Sequence, residues 1–262
     1  MVQPKPTDTA SELPPVDERL VEPETRYEML DGELIYVPPA DGPHGSMHSR
    51  IAALVEAHTR PEFQVAVDML TRTSRTSDVA PDVSVYPRAP DPVTGRRQLQ
   101  HLAFEVVSTT TLRYAGRKAE TLIARGVRRV FGIDVKRARA LEWSGSPGAW
   151  QPVDVSTVID DLVFAVPLPM DALVHAVTVD DTVARALISK HNPVIEDELA
   201  RIREQGQRDG VAAALLDVLA ARGIALDPAQ RARILGEPDA GRLARWIARA
   251  ARATSVADVF AE

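Results

Sequence analysis

Two short apolar segments of this chain each carry an acidic residue where a buried strand would place an apolar one. The segments are VAPDVSVY (79–86) and LAFEVVS (102–108), and their content of Val, Phe and Tyr is typical of buried strands. Burying the carboxylates of Asp82 and Glu105 is costly unless a metal or another cation pairs with them. The pattern therefore predicts adjacent core strands that present two acids to one cation.

A lysine completes this set, because Lys118 follows on the next predicted helix. Two carboxylates and a lysine are the minimum set for metal-dependent phosphodiester hydrolysis, so a nuclease is the first hypothesis. Simpler interpretations compete with it. Asp82 can cap a turn after Pro81, and Lys118 can be a solvated helix residue. Glu105 is harder to explain in this way, because apolar residues flank it on both sides.

The composition limits the class of protein and the kind of metal site. The 262 residues are enough for one large domain, or for a medium domain with an appendage. The absence of cysteine excludes disulfides and thiolate ligands, so any metal takes oxygen or nitrogen ligands. The first 22 residues are polar and Pro-rich without an apolar signal segment, which predicts a disordered leader on a soluble, cytoplasmic protein.

The charge is unevenly distributed, although the net charge is only −6. Residues 1–85 carry about 7 basic and 15 acidic side chains, whereas residues 86–139 carry about 12 basic and 4 acidic ones. The basic block surrounds Glu105 and Lys118, where a phosphate backbone would approach. We therefore predict nucleic-acid contacts from four of its arginines, Arg96, Arg97, Arg113 and Arg117. The alternative is that the arginines of this block only solvate a surface, as do Arg128, Arg129, Arg137 and Arg139 in that interpretation.

The order of predicted elements defines the fold class. The chain begins with a hairpin (26–39) turning at Asp31-Gly32, followed by a helix (47–59) and a strand (63–73). The two acid-bearing strands come next. A helix (113–125) ending at Gly126 and two further strands (127–135 and 140–145) follow. This order predicts an α/β fold over residues 23–185, with a mixed sheet flanked by helices.

Residues 190–262 are predicted to form an all-helical C-terminal extension. A highly charged helix precedes an Ala/Leu-rich one, and two or three short helices follow. No catalytic chemistry is visible there, so we predict an oligomerisation or docking element, with a plain three-helix appendage as the alternative. Two apolar faces, one over 211–221 and one at Leu243, Trp246 and Ile247, predict at least a homodimer.

Several motifs together resemble the Uma family of restriction endonuclease-like proteins, in the PD-(D/E)XK nuclease superfamily. They are DGEL in the hairpin, HSRI in the first helix, PDVSVY, EVVS, and the Lys118 helix followed by GVRRVFGID. The resemblance covers roughly residues 20–175. It implies a restriction-endonuclease-like core and an endonuclease that uses Mg²⁺ or Mn²⁺ to cut DNA as an effector of defence or repair. RNA is the alternative substrate.

The resemblance also assigns roles to single residues. Asp82 corresponds to the aspartate of the PD motif and Glu105 to the acid of the second motif. The usual lysine position, two residues after that acid, holds Val107, and Lys118 corresponds to the lysine that the family places on the following helix. The metal ligands implied are Asp82, Glu105 and the carbonyl of Val106.

Two positions depart from the family pattern. The family usually has a proline after EVVS, where this chain has 108–111 (STTT), and a tyrosine four residues after the lysine, where this chain has Leu122. Tyr114, one turn before Lys118, is predicted to cover the same helix face. The departures favour an alternative, a catalytically inactive nuclease fold that acts as a nucleic-acid-binding or assembly and regulatory module.

Two further residues are weaker candidates. Glu33, on the second hairpin strand, is a candidate metal neighbour, with an exposed edge acid as the alternative. His48 is a candidate substrate contact at the start of its helix, and a capping or surface histidine is the alternative. His44 and His58 have no partner at ligand spacing, so the sequence does not predict a zinc site.

Overall fold

The computed structural model describes residues 13–107, 111–175 and 179–261 and divides the chain into two compact units, Met1–Lys190 and His191–Glu262. The first unit contains the strands, and the second contains helices. No helix among the described residues has the length and apolar character needed to cross a lipid bilayer.

The first unit is the predicted mixed sheet with flanking helices. Its strands are β1 (Tyr27–Leu30), β2 (Glu33–Tyr36), β3 (Phe63–Val67), β4 (Thr71–Arg72), β5 (Asp78–Val79), β6 (Val83–Pro87), β7 (Leu102–Val107), β8 (Arg129–Asp134), β9 (Arg139–Ser144), β10 (Ala149–Val153), β11 (Val158–Ile159) and β12 (Leu168–Pro169). Its helices are α1 (Gly42–His58), α2 (Leu112–Arg125), α3 (Met170–Val174) and α4 (Val179–Ser189).

A central six-stranded sheet has the order β10-β9-β8-β7-β6-β3 and is antiparallel except for the parallel pair β7–β8. Helix α2 makes the crossover that this parallel pair requires. All six residues of β7 are buried, and alternate residues face opposite sides. Leu102, Phe104 and Val106 pack in the core that includes α1, whereas Ala103 packs in the core that includes α2.

The predicted strand over 79–86 is in fact two strands in two sheets. β5 belongs to a small sheet of order β2-β1-β5-β4, and β6 belongs to the central sheet. Pro81 lies between them and has no N–H to donate, so the ladder is interrupted there. The predicted strand over 63–73 divides in the same way into β3 and β4, and between them Asp68 has a positive φ of 51°.

The hairpin and the helix that carries Lys118 agree with the prediction. β1 and β2 pair antiparallel, and Asp31 and Gly32 have φ values of 56° and 81°, as a two-residue type I′ turn requires. Helix α2 is capped by the side chain of Thr111 and ends at Gly126, which is left-handed with φ 117°. These local patterns position the hairpin acids and Lys118.

The predicted disordered leader over residues 1–22 is wrong for its last part, while residues 1–12 lie outside the described residues. Val16 and Val21 are buried. The backbone N–H of Leu20 donates to Oδ2 of the buried Asp78 over 2.8 Å, and the carbonyl of Val16 accepts from Arg72 N–H. Apolar burial together with hydrogen bonds to buried partners fixes residues 13–22 despite their polar composition.

The second unit consists of α5 (Pro193–Ala221), α6 (Pro228–Leu235), α7 (Ala240–Ala250) and α8 (Val256–Phe260). The two helices predicted before residue 222 are one 29-residue helix, α5. The faces predicted to need a partner chain cover each other, because Leu215 and Leu219 of α5 share a buried core with Leu243 and Trp246 of α7. The apolar-face argument for a homodimer is therefore wrong.

Candidate active site

A cavity of about 230 Å³ in the first unit is lined by both predicted acids and by Lys118. Strand alternation places Glu105 on the same side of β7 as Ala103, which faces α2. Helical spacing places Lys118 on the buried side of α2 with Ala115, Ala119 and Leu122. The sheet and the helix thus bring Glu105 and Lys118 together. The alternative of a solvated lysine is wrong, since Lys118 is only 4% exposed.

Glu105 has one paired and one unpaired carboxylate oxygen. Its Oε2 lies 3.0 Å from Nζ of Lys118, whereas its buried Oε1 has no hydrogen-bond partner. Burial raises the pKa of Glu105 well above its usual range, although Lys118 opposes the shift. An unpartnered buried carboxylate oxygen is an available ligand for a cation.

Lys118 is held at three points. Its Nζ donates to the carbonyl of Ala80 over 2.6 Å, and it lies 3.0 Å from Glu105 and 3.4 Å from Oε1 of Glu28. Burial disfavours the charged amine, but Glu105, Glu28 and Asp82 outweigh this effect and raise the pKa of Lys118 well above its usual range. Lys118 is therefore a fixed positive charge in the cavity.

Glu28 is a site residue that the sequence analysis missed. It is buried on β1, its Oε2 accepts a hydrogen bond from the Tyr114 hydroxyl over 2.6 Å, and its Oε1 accepts one from Ala80 N–H. Glu33, the predicted hairpin acid, is instead exposed and lies 3.6 Å from Arg117. Strand alternation would have identified Glu28 as the buried hairpin acid, because Glu28 and the fully buried Leu30 share one face of β1.

Asp82 lies in the turn between β5 and β6, where it connects β7 with α1. Its Oδ2 accepts a hydrogen bond from Val106 N–H, and its Oδ1 lies 3.2 Å from Nε2 of His48. Burial opposes ionisation of Asp82, but His48, Lys118 and the Val106 amide together hold its pKa below the usual range. Val106 thus contacts this carboxylate through its backbone N–H, whereas the metal ligand predicted from the sequence is its carbonyl oxygen.

Two histidines of α1 line the same cavity. His44 and His48 are four residues apart, so they lie on one side of the helix, and their ring centroids are 4.3 Å apart. One ligand atom from each, together with a carboxylate oxygen of Asp82, lies within 4.8 Å of the others. The prediction that His44 lacks a partner at ligand spacing is therefore wrong. His58 is separate, with its Nδ1 2.7 Å from the carbonyl of Leu54.

Comparison with known proteins gives one family. The sequence matches the Uma2 family, described as "Putative restriction endonuclease", over residues 12–171. The chain belongs to the Uma2 family. A solved structure described as a "putative nuclease belonging to DUF820" from Anabaena variabilis is 16% identical, with a TM-score of 0.49, and the match covers 59% of this chain and 92% of that one. Comparison with curated proteins gives no match.

The four arginines predicted to contact nucleic acid do not line the cavity of this Uma2 protein. Arg97 is committed to the fold, because it donates to the carbonyls of Val16 and Leu70. Arg96 and Arg117 lie near acidic side chains, and Arg113 is exposed on α2. Four further arginines of the basic block pair with acids, namely Arg128, Arg129, Arg137 and Arg139 with Asp161, Glu142 and Asp134.

The charge balance of the cavity fits a divalent cation. Three buried carboxylates, Glu28, Asp82 and Glu105, lie around one buried cation, Lys118, whereas Arg26 and Asp68, which also line the cavity, are exposed. Carboxylate oxygens are the donors that hard cations such as Mg²⁺ and Mn²⁺ take. The unpartnered Oε1 of Glu105 supplies a donor that no protein group uses. Family, geometry and charge thus agree with a nuclease site.

Proposed function

We propose that this Uma2 protein is an endonuclease that hydrolyses phosphodiester bonds in DNA with Mg²⁺ or Mn²⁺, as an effector of defence or repair. The observation that carries the proposal is the excess of buried carboxylate around Lys118, with one Glu105 oxygen unpartnered. A buried excess of negative charge is costly without a cation.

Asp82 and Glu105 would hold the metal, with the Val106 carbonyl as a third donor. A bound dication supplies a water of lowered pKa and offsets negative charge on the phosphate. This assignment uses acids on neighbouring structural elements, since Asp82 precedes β6 and Glu105 lies on β7, the strand that pairs with β6.

Lys118 would act on the phosphate by its charge. Glu105, Glu28 and Asp82 raise the pKa of Lys118, and a protonated Lys118 would stabilise developing negative charge or position the attacking water, whereas a neutral one would help to deprotonate that water. The carbonyl of Ala80 and the carboxylate of Glu28 fix its position. Tyr114 in turn orients Glu28 by donating its hydroxyl hydrogen bond. The helix face that the family covers with a later tyrosine thus has a phenol from Tyr114, which counts against the inactive alternative.

Metal-dependent cleavage is the test. The full-length chain is incubated with supercoiled plasmid, linear duplex, single-stranded DNA and RNA, in Mg²⁺, Mn²⁺ or EDTA. We expect cleavage of DNA only with metal, and a loss of at least about 100-fold in Asp82→Asn and Glu105→Gln. Cleavage in EDTA, or wild-type cleavage by both variants, would contradict the assignment. Metal-dependent binding without cleavage would support the inactive module instead.

A further inference from the structure

The histidine side of the cavity has a donor set that differs from the carboxylate side. We propose that His44, His48 and Asp82 form a site for a borderline divalent cation of the Zn²⁺ class. The site shares Asp82 with the proposed nuclease centre and adds the two histidines, and its existence does not depend on cleavage. Two imidazole nitrogens and one carboxylate oxygen suit Zn²⁺ and related transition metals better than Mg²⁺.

Helix α1 pre-forms the histidine pair. The Asp41 side chain caps the helix by accepting from the backbone N–H of His44 over 2.9 Å, which fixes the first turn. Because the two histidines are four residues apart, they lie one turn apart on the same side of the helix. Neither ring needs a loop to order before it can bind.

The spacing fits a shared cation. Zn²⁺ ligands lie about 2.0–2.2 Å from the metal, so neighbouring ligand atoms of a tetrahedral site lie roughly 3.3–3.6 Å apart. Nε2 of His48 and Oδ1 of Asp82 are 3.2 Å apart, and all three ligand atoms lie within 4.8 Å of one another. Nε2 of His48 is buried and faces the Asp82 carboxylate. A small movement of His44 or of the carboxylate would close the set.

Acidic and backbone groups lie next to two of these ligands. Oδ1 of Asp68 lies 3.9 Å from Nδ1 of His48, longer than a hydrogen bond but close enough for an ion pair with a protonated ring. Metal-binding histidines commonly have a carboxylate at their second nitrogen. The other oxygen of Asp82 accepts the Val106 N–H, which leaves Oδ1 directed at the histidine. Because the ligands line a cavity, a fourth position stays accessible to water or to a phosphate oxygen.

The test measures metal binding without cleavage. The metal-free full-length chain is titrated calorimetrically with Zn²⁺ and, separately, with Mg²⁺, and Co²⁺ is added as a visible-absorption probe of nitrogen ligation. We expect His44→Gln and His48→Gln each to weaken Zn²⁺ binding by about 100-fold or more, and Asp68→Asn by roughly 10-fold. The control is His101→Gln, since His101 packs on Phe63 and does not line the cavity. It should bind Zn²⁺ like the wild type.

The Glu105→Gln variant separates this site from the proposed nuclease centre. Its calorimetric titration should show no Mg²⁺ binding, and its Zn²⁺ affinity should stay within about tenfold of that of the wild type. Absence of Zn²⁺ binding by the wild-type chain, or wild-type Zn²⁺ affinity in either histidine variant, overturns the site. Circular dichroism of the metal-free variants checks their folding, and the Asp68→Asn titration and the wild-type Co²⁺ spectrum test the site without changing a ligand. If cleavage fails but the Zn²⁺ pattern holds, the nuclease proposal falls and the histidine site stands.

Discussion

At the scale of single residues, Glu105 is a buried acid whose carboxylate is only partly compensated by its neighbours. Its carboxyl group is 2% exposed, and one oxygen meets Lys118 while the other has no partner. A neutral amide of the same shape can replace the lysine contact but is a poor ligand for Mg²⁺. We therefore expect Glu105→Gln to fold and to lose its stabilisation by Mg²⁺.

Thermal unfolding with Mg²⁺ and with EDTA measures this effect. A ligand at 100 times its Kd stabilises a folded protein by about 2.7 kcal/mol, and Glu105→Gln should lose most of that gain. Glu33→Gln is the control, because Glu33 is exposed and outside the cavity. Equal stabilisation of Glu105→Gln and the wild type would remove Glu105 from the metal site.

The two hairpin acids provide a second test at this scale. Glu28 fixes both Lys118 and Tyr114, whereas Glu33 has only a solvent-exposed contact with Arg117. We expect Glu28→Gln to lower the cleavage rate at least about tenfold and Glu33→Gln to leave it unchanged. The variants are compared in single-turnover assays at saturating Mg²⁺. If Glu33→Gln were slow and Glu28→Gln cleaved at the wild-type rate, Glu33 would be the hairpin acid that supports cleavage.

At the scale of elements, Asp78 on β5 connects the segment 13–22 to the small sheet by hydrogen bonds. Its Oδ2 accepts from the N–H groups of Leu20 and Val21, while its Oδ1 is buried without a partner. Burial raises the pKa of Asp78, although the two N–H donors oppose the shift. The folded state therefore binds this proton more tightly than the unfolded state does.

This linkage predicts a pH dependence. The contribution of Asp78 to stability is fully present below its unfolded pKa and is lost as the pH rises through its folded pKa. Asp78→Asn keeps an acceptor oxygen and removes the charge, so its stability should fall less than that of the wild type across this range. Urea unfolding from pH 4 to pH 8 in EDTA measures the difference, and parallel curves for the two proteins would contradict the prediction.

Local sequence patterns predicted the elements that hold Glu105 and Lys118, but not every neighbour. The apolar run correctly placed Glu105 on a buried strand, and the helix signals placed Lys118 on the following helix, but the burial of Lys118 was left open. Strand alternation, applied to β1, would have selected Glu28, and i, i+4 spacing on α1 would have paired His44 with His48. Which sheet a segment joins is a tertiary property, whereas the interruption at Pro81 could have been predicted, because a proline cannot donate to the ladder.

At the scale of the whole molecule, the chain combines a cavity-bearing unit with a helical unit that has its own core. One nuclease site cuts one strand at a time, so a homodimer would allow both strands to be cut in one binding event. On this ground we propose that the full-length chain is at least a homodimer, and truncation after residue 190 tests whether the helical unit contributes to its assembly. Sedimentation at tens of micromolar tests this, and a monomeric full-length chain would contradict it.

We propose that the buried carboxylates and Lys118 form the centre that hydrolyses DNA. The most direct test compares Lys118→Met with Lys136→Met, because Lys118 is buried in the cavity whereas Lys136 is exposed outside it. In single-turnover plasmid cleavage with saturating Mg²⁺, Lys118→Met should be slower by about 100-fold or more and Lys136→Met should match the wild type. Wild-type cleavage by Lys118→Met would exclude Lys118 from the hydrolytic centre and contradict the proposed site.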